Sequence, residues 1–168
     1  MKEFHVPVEF VSRHVKPTWS DVELGLHNRW LNSADAVKLA VQIVAADESA
    51  SREEVMLAAS DSSKAVEIAE QVQALAKAES EGGQQKSRQR WLYLLLAWVY
   101  ENRASVADPL SVVEEIYSNF GYPEEVAAFV RYMPPKNDEY WPQLPTKEEN
   151  DERLMGVWAD YISRGVVK

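Results

Sequence analysis

Cysteine is absent from the 168 residues. Its absence excludes disulfide scaffolds, thiolate zinc sites, iron–sulfur clusters and any cysteine nucleophile. Histidine is scarce: His5, His14 and His27 all lie within the first 27 residues, and none has H-x-x-x-H or E-x-x-H spacing. A carboxylate-bridged di-metal helical bundle needs Glu-x-x-His, so that chemistry is disfavoured, while a magnesium site built from carboxylates alone stays open. Glycine-loop and nucleophile-elbow motifs are also missing, and Gly82-Gly83 is not followed directly by the Lys-Ser/Thr of a phosphate loop. The longest apolar run, Trp91–Tyr100, is half of the roughly 20 residues needed to span a bilayer. The start, MKEFHVPVEF, carries Glu3 and Glu9 and has no apolar leader core, so no export signal is expected and a cytoplasmic location is the default. Excess positive charge is missing too. A net charge of −9 argues against a protein that grips nucleic-acid phosphates or an anionic membrane.

The chain does contain the material of a packed core. Hydrophobic residues make up 46% of it, with six Trp, seven Tyr and four Phe, which excludes intrinsic disorder. The length suits a single domain.

The negative charge is local. Residues 108–152 hold eleven acids against Arg131, Lys136 and Lys147, a net charge of −8, while the remainder balances 16 acids with 15 bases. Helix N-termini attract carboxylates, which accounts for several of these acids. A concentrated acidic stretch also steers association with a basic partner.

Helical periodicity runs through the chain. Ser20 and Glu23 have capping-box spacing, and a helix is expected from there to about His27. A second begins after Asn32 with Val37, Ala40, Val41 and Val44 on one face. Ser51–Glu54 opens a short helix, and residues 63–79 carry the stripe Ala65, Ile68, Ala69, Val72 and Ala76. Residues 80–85 read as a flexible hinge. Beyond it, residues 86–103 are apolar around nearly the whole circumference, marking a central helix. Asp108-Pro109 begins the next helix and Gly121 ends it; Pro123 starts another, stopped by Pro134-Pro135. A proline-rich loop carrying Tyr140 and Trp141 leads to a last helix capped by Thr146 and Glu149. The expectation is an all-α single domain, 1–168, of roughly seven or eight helices in two layers around the central apolar helix.

Few residues suggest chemistry. Glu23 and His27, four apart, read as an ordinary surface pair or half a metal site. Adjacent residues on a helix diverge by about 100°, so at most one of each pair Glu114-Glu115 and Glu124-Glu125 faces a core. Lys86, Arg88 and Arg90 form a small basic cluster beside Trp91. No metal or other cofactor is expected.

The blocks Thr18-Trp19-Ser20-Asp21, Trp91-Leu92-Tyr93, Asp108-Pro109-Leu110, Glu115-Ile116-Tyr117, Tyr122-Pro123-Glu124-Glu125 and Phe129-Val130-Arg131-Tyr132-Met133-Pro134 resemble the bacterial domain-of-unknown-function family 2247. The resemblance covers most of the chain and is weakest from about residue 46 to 84. It implies bacterial origin and a fold; the family carries no established activity.

Two functions fit these features. In the first, the chain is an interaction protein, of immunity or antitoxin type, binding a basic toxin-like partner through Glu124, Glu125, Asp138, Glu139, Tyr140 and Trp141. In the second, it is a small helical enzyme whose pocket of Trp19, Asp21, Trp91, Tyr93 and Arg131 takes an anionic substrate. The first is preferred, because catalytic motifs are lacking and acidic charge is concentrated.

Overall fold

The computed structural model describes residues 4–47, 49–79, 83–133 and 145–165. Among these residues there are nine α-helices, one 3-10 turn at Arg103–Ser105, and no strand. No described helix is long and apolar enough to cross a membrane. Two compact units divide the chain, Lys2–Trp91 and Leu92–Lys168.

The N-terminal unit contains α1 (Val8–His14), α2 (Trp19–His27), α3 (Ser33–Ala46), α4 (Arg52–Ala58), α5 (Ala65–Ala78) and the first half of α6 (Gly83–Glu101). Helix α1 is the ninth helix, one more than periodicity suggests. Its seven residues are too few for a periodic stripe to declare itself, yet Val8, Phe10 and Val11 are all buried. Helix α3 starts at Asn32 as expected, with Asp35 completing the capping box, but its buried face is Ala36, Leu39 and Ala40. Val41, expected inside, is 48% exposed, so the helix is turned about one residue from the expected stripe. In α5 the buried residues are Ile68, Val72, Leu75 and Ala76, while Ala65 and Ala69 face solvent.

Helix α2 departs from expectation at its start. The N-cap is Thr18, not Ser20: the Thr18 hydroxyl accepts from the Asp21 backbone N–H, and the Asp21 carboxylate accepts from the Thr18 backbone N–H. Ser20 is unavailable as a cap because its hydroxyl donates to Glu79, at 2.7 Å. The same carboxylate accepts from the backbone N–H groups of Trp19 and Ser20. Glu79 thus satisfies two orphan donors of the helix terminus from 59 or more residues away.

Gly25 lets α2 lie close to α6. A Cβ there would stand 2.6 Å from the Trp91 ring and 2.8 Å from Leu31. Helix propensity alone predicts that Gly25→Ala stabilises an exposed helix by about 1 kcal/mol. Here overpacking reverses the sign, and we expect a loss of about 1–3 kcal/mol, measurable as a lowered urea midpoint.

The C-terminal unit contains the rest of α6 and α7 (Pro109–Asn119), α8 (Glu124–Ala127) and α9 (Lys147–Ser163). The apolar circumference of α6 is realised as an unbroken buried run from Trp91 to Ala97, with Val99 beyond it. Leu110, Val113, Ile116 and Tyr117 form the buried face of α7, joined by Val126, Phe129, Val130, Leu154 and Trp158.

Candidate functional site

The acidic stretch is organised by the way α7 begins and ends. Asp108 caps the helix, its carboxylate accepting from the Ser111 backbone N–H, and Pro109 occupies the first turn where its missing donor costs nothing. At the other end Gly121 and Tyr122 are both left-handed, with φ of +78° and +63°. The Tyr122 backbone N–H reaches back to the Tyr117 carbonyl at 2.9 Å, closing the helix before Pro123 redirects the chain. Helix α8 then presents Glu124 and Glu125 to solvent and turns Val126 and Ala127 inward.

Arg131 ties this region together. Its guanidinium donates four hydrogen bonds: two to the Asp108 carboxylate at 2.7 and 2.9 Å, and two to Asp151 at 2.9 and 3.1 Å. These paired bonds match the planar fork of arginine and fix the ends of α7 and α9 to the segment after α8. The bonds it donates to Asp108, then to Asp151, push the Arg131 pKa well above its ordinary value. In turn, the Arg131 hydrogen bonds hold the Asp108 carboxyl below the usual carboxylate range. The clamp's contribution is therefore complete above the unfolded carboxylate value, about 3.9, and is lost as pH falls through the lower folded value. Thermal melts across that acid range should show a steeper loss for the native chain than for Asp108→Asn, which keeps a cap but not the charge. Parallel curves would contradict the assignment.

Two tyrosines of the same unit are exposed. Tyr122 is 62% and Tyr132 58% exposed, and both rings stand against buried Tyr117, at centroid distances of 5.3 and 6.2 Å. Sequence reading did not single them out. The signal was an aromatic placed between two chain breakers, Gly121 and Pro123, where a ring is carried on a turn and away from a helix face.

The match to known families decides the kinship. The family described as "Uncharacterized protein conserved in bacteria (DUF2247)" matches residues 8–165. The chain belongs to the DUF2247 family. No curated protein and no solved structure matches it.

In this DUF2247 chain the block Thr18-Trp19-Ser20-Asp21 gathers carboxylates at the start of α2. Besides the Glu79 bonds, the Trp19 indole donates to Glu54 at 2.9 Å. Burial opposes the Glu54 charge, yet the bonds from Trp19 and Ser51 keep its carboxyl below the ordinary range. Asp21 is fully buried; its carboxylate accepts from Arg90 Nε at 2.9 Å and its backbone carbonyl from the Trp91 indole at 2.8 Å. Trp19, Asp21 and Trp91 thus belong to the N-terminal unit, and Tyr93 and Arg131 to the C-terminal unit. Tyr93 is buried, its hydroxyl donating to the Ile162 carbonyl at 3.3 Å, and burial raises its pKa.

Of the expected interface residues, Glu124 and Glu125 are exposed, whereas Asp138, Glu139, Tyr140 and Trp141 lie outside the described residues. Within the expected hinge, residues 83–85 are the first turn of α6, and 80–82 lie outside the described residues. The N-terminal unit also carries a groove of about 490 Å³ lined by Ser20, Glu23, Leu24, His27, Gln84, Gln85 and Arg88. The Glu23–His27 pair lies on this groove. Among the described residues, no group of three or more acidic or histidine side chains is placed to hold a metal ion.

Proposed function

We propose that this DUF2247 protein is a cytoplasmic interaction module, of immunity or antitoxin type, that engages a basic protein partner through the acidic part of its C-terminal unit. The observation that supports this reading is how charge is used there. The described part of residues 108–152 carries nine acids and only Arg131 and Lys147 as bases. Arg131 is committed to Asp108 and Asp151, so its charge is spent inside the unit. Glu124, Glu125, Glu148, Glu149 and Glu152 are exposed. Clustered exposed carboxylates resemble the charge pattern of a nucleic acid backbone and speed encounter with a cationic surface.

Affinity capture on the full chain from a host lysate tests the reading. At about 50 mM salt a basic protein should be retained, then released near 500 mM, where screening shortens to a few ångströms. The variant Glu124→Lys/Glu125→Lys should keep its helical circular dichroism and lose the partner. Retention of an acidic partner, of none, or equal retention by the variant would overturn the proposal.

A further inference from the structure

The exposed tyrosines of the C-terminal unit have an arrangement that core packing does not explain. Tyr122 occupies the left-handed region at φ +63°, where a bulky side chain is uncommon and glycine or asparagine is the usual choice. That strain places a ring that remains 62% exposed, so burial returns little for it. Strained backbone of this kind is concentrated at functional sites. Tyr132, 58% exposed, flanks the same buried Tyr117 from the turn after α8.

The surroundings are anionic. Glu114 precedes Tyr117 by three residues on α7 and so shares its side of the helix. Glu124 and Glu125 follow Tyr122 directly after Pro123. The contacts of Tyr122 and Tyr132 with Tyr117 bring the three rings together, and partial burial, then the charges of Tyr117, Tyr122 and Glu114, raise the Tyr132 pKa. Arg131, the cation next to Tyr132 in sequence, is turned to Asp108 and Asp151 and is not its occupant. An aromatic face attracts a cation, and nearby carboxylates add to the attraction; a planar guanidinium can stack and donate at once. The chain itself seats Arg103 over the Tyr100 ring at 4.2 Å.

We propose that Tyr122 and Tyr132, with Glu114 beside them and Glu124 and Glu125 following Tyr122 along the chain, receive an arginine side chain of the basic partner. This rests on the reading that the partner is basic, and adds that arginine is recognised over lysine. Fluorescence anisotropy with labelled hexa-arginine and hexa-lysine peptides on the full chain tests both statements separately. The native chain should bind hexa-arginine more tightly. Tyr122→Leu/Tyr132→Leu should weaken that binding about tenfold and erase the preference, while Tyr122→Phe/Tyr132→Phe retains it. On the native chain carrying ¹³C-labelled tyrosine, the Tyr122 and Tyr132 ring signals should shift with hexa-arginine and that of buried Tyr93 should not. Unchanged binding by the leucine variant, no arginine preference, or unmoved ring signals would overturn the aromatic site. If Glu124→Lys/Glu125→Lys still weakens both peptides in that event, the acidic-surface reading survives alone; if it changes neither, both fall.

Discussion

Replacing Arg90 by methionine is expected to destabilise the protein by about 3–5 kcal/mol, the cost of leaving a buried charge without its partner. The asymmetry of burial makes the effect large. Asp21 is fully inaccessible, whereas Arg90 keeps about a fifth of its side-chain surface in solvent, at 19%. Removing the cation therefore leaves a charge that water cannot reach with only the Thr18 backbone N–H and hydroxyl donating to it. Arg90 also donates to the Thr18 hydroxyl at 3.0 Å, and Thr18 is the cap of α2. Methionine supplies comparable apolar length without the charge, which limits the cavity contribution. Asparagine at position 21 still accepts from the Thr18 backbone and carries no charge. In an Asp21→Asn background the Arg90→Met penalty should accordingly fall well below its native value. Urea unfolding followed by tryptophan fluorescence measures both costs. A native-background penalty below about 1 kcal/mol would place the pair among ordinary surface bridges.

Trp158→Ala should cost a similar amount, about 3–5 kcal/mol, through a different mechanism. Trp158 has no exposed surface and sits in the C-terminal unit between Phe129, stacked at 6.2 Å, and Tyr100, edge-on at 5.1 Å. Truncation removes the largest side chain of α9 and leaves two rings facing a void. Phenylalanine at the same position loses less. It keeps the ring contacts, and it deletes an indole N–H that has no partner among the described residues. Trp158→Phe should therefore cost less than half of Trp158→Ala. Equal losses would mean that ring packing is not what Trp158 provides.

The helix ends show where sequence reading succeeds. Asn32, Ser51 with Glu54, Asp108-Pro109 and Thr146 with Glu149 all cap where their spacing indicates, because each cap is closed within four residues of chain. Thr18 was missed for the opposite reason. The residue that looked like the cap, Ser20, is taken by Glu79, the residue that ends α5, a tertiary contact with no local trace. The buried stripe of α3 was misplaced because valines at 37, 41 and 44 satisfy helical spacing as well as the alanines and leucine that are buried. Local pattern does not choose between two faces that are both apolar.

The candidate site divides similarly. The acidic stretch is countable from the sequence, but the helix expected from Pro123 to Pro134-Pro135 is the single turn Glu124–Ala127, and both of its glutamates are exposed. The internal neutralisation of Arg131 was not countable, since Asp108 and Asp151 stand 23 and 20 residues away from it. Nor was the pairing of Tyr122 and Tyr132 on Tyr117, which depends on how the chain reverses at Gly121.

The most direct test of the interaction reading is the association rate between the full chain and its captured partner, followed across ionic strength. Electrostatic steering predicts that the rate falls at least about tenfold between low and physiological salt, while dissociation changes less. Glu124→Lys/Glu125→Lys should lower the low-salt rate and flatten its dependence. An association rate that is indifferent to salt and to both substitutions would contradict the account.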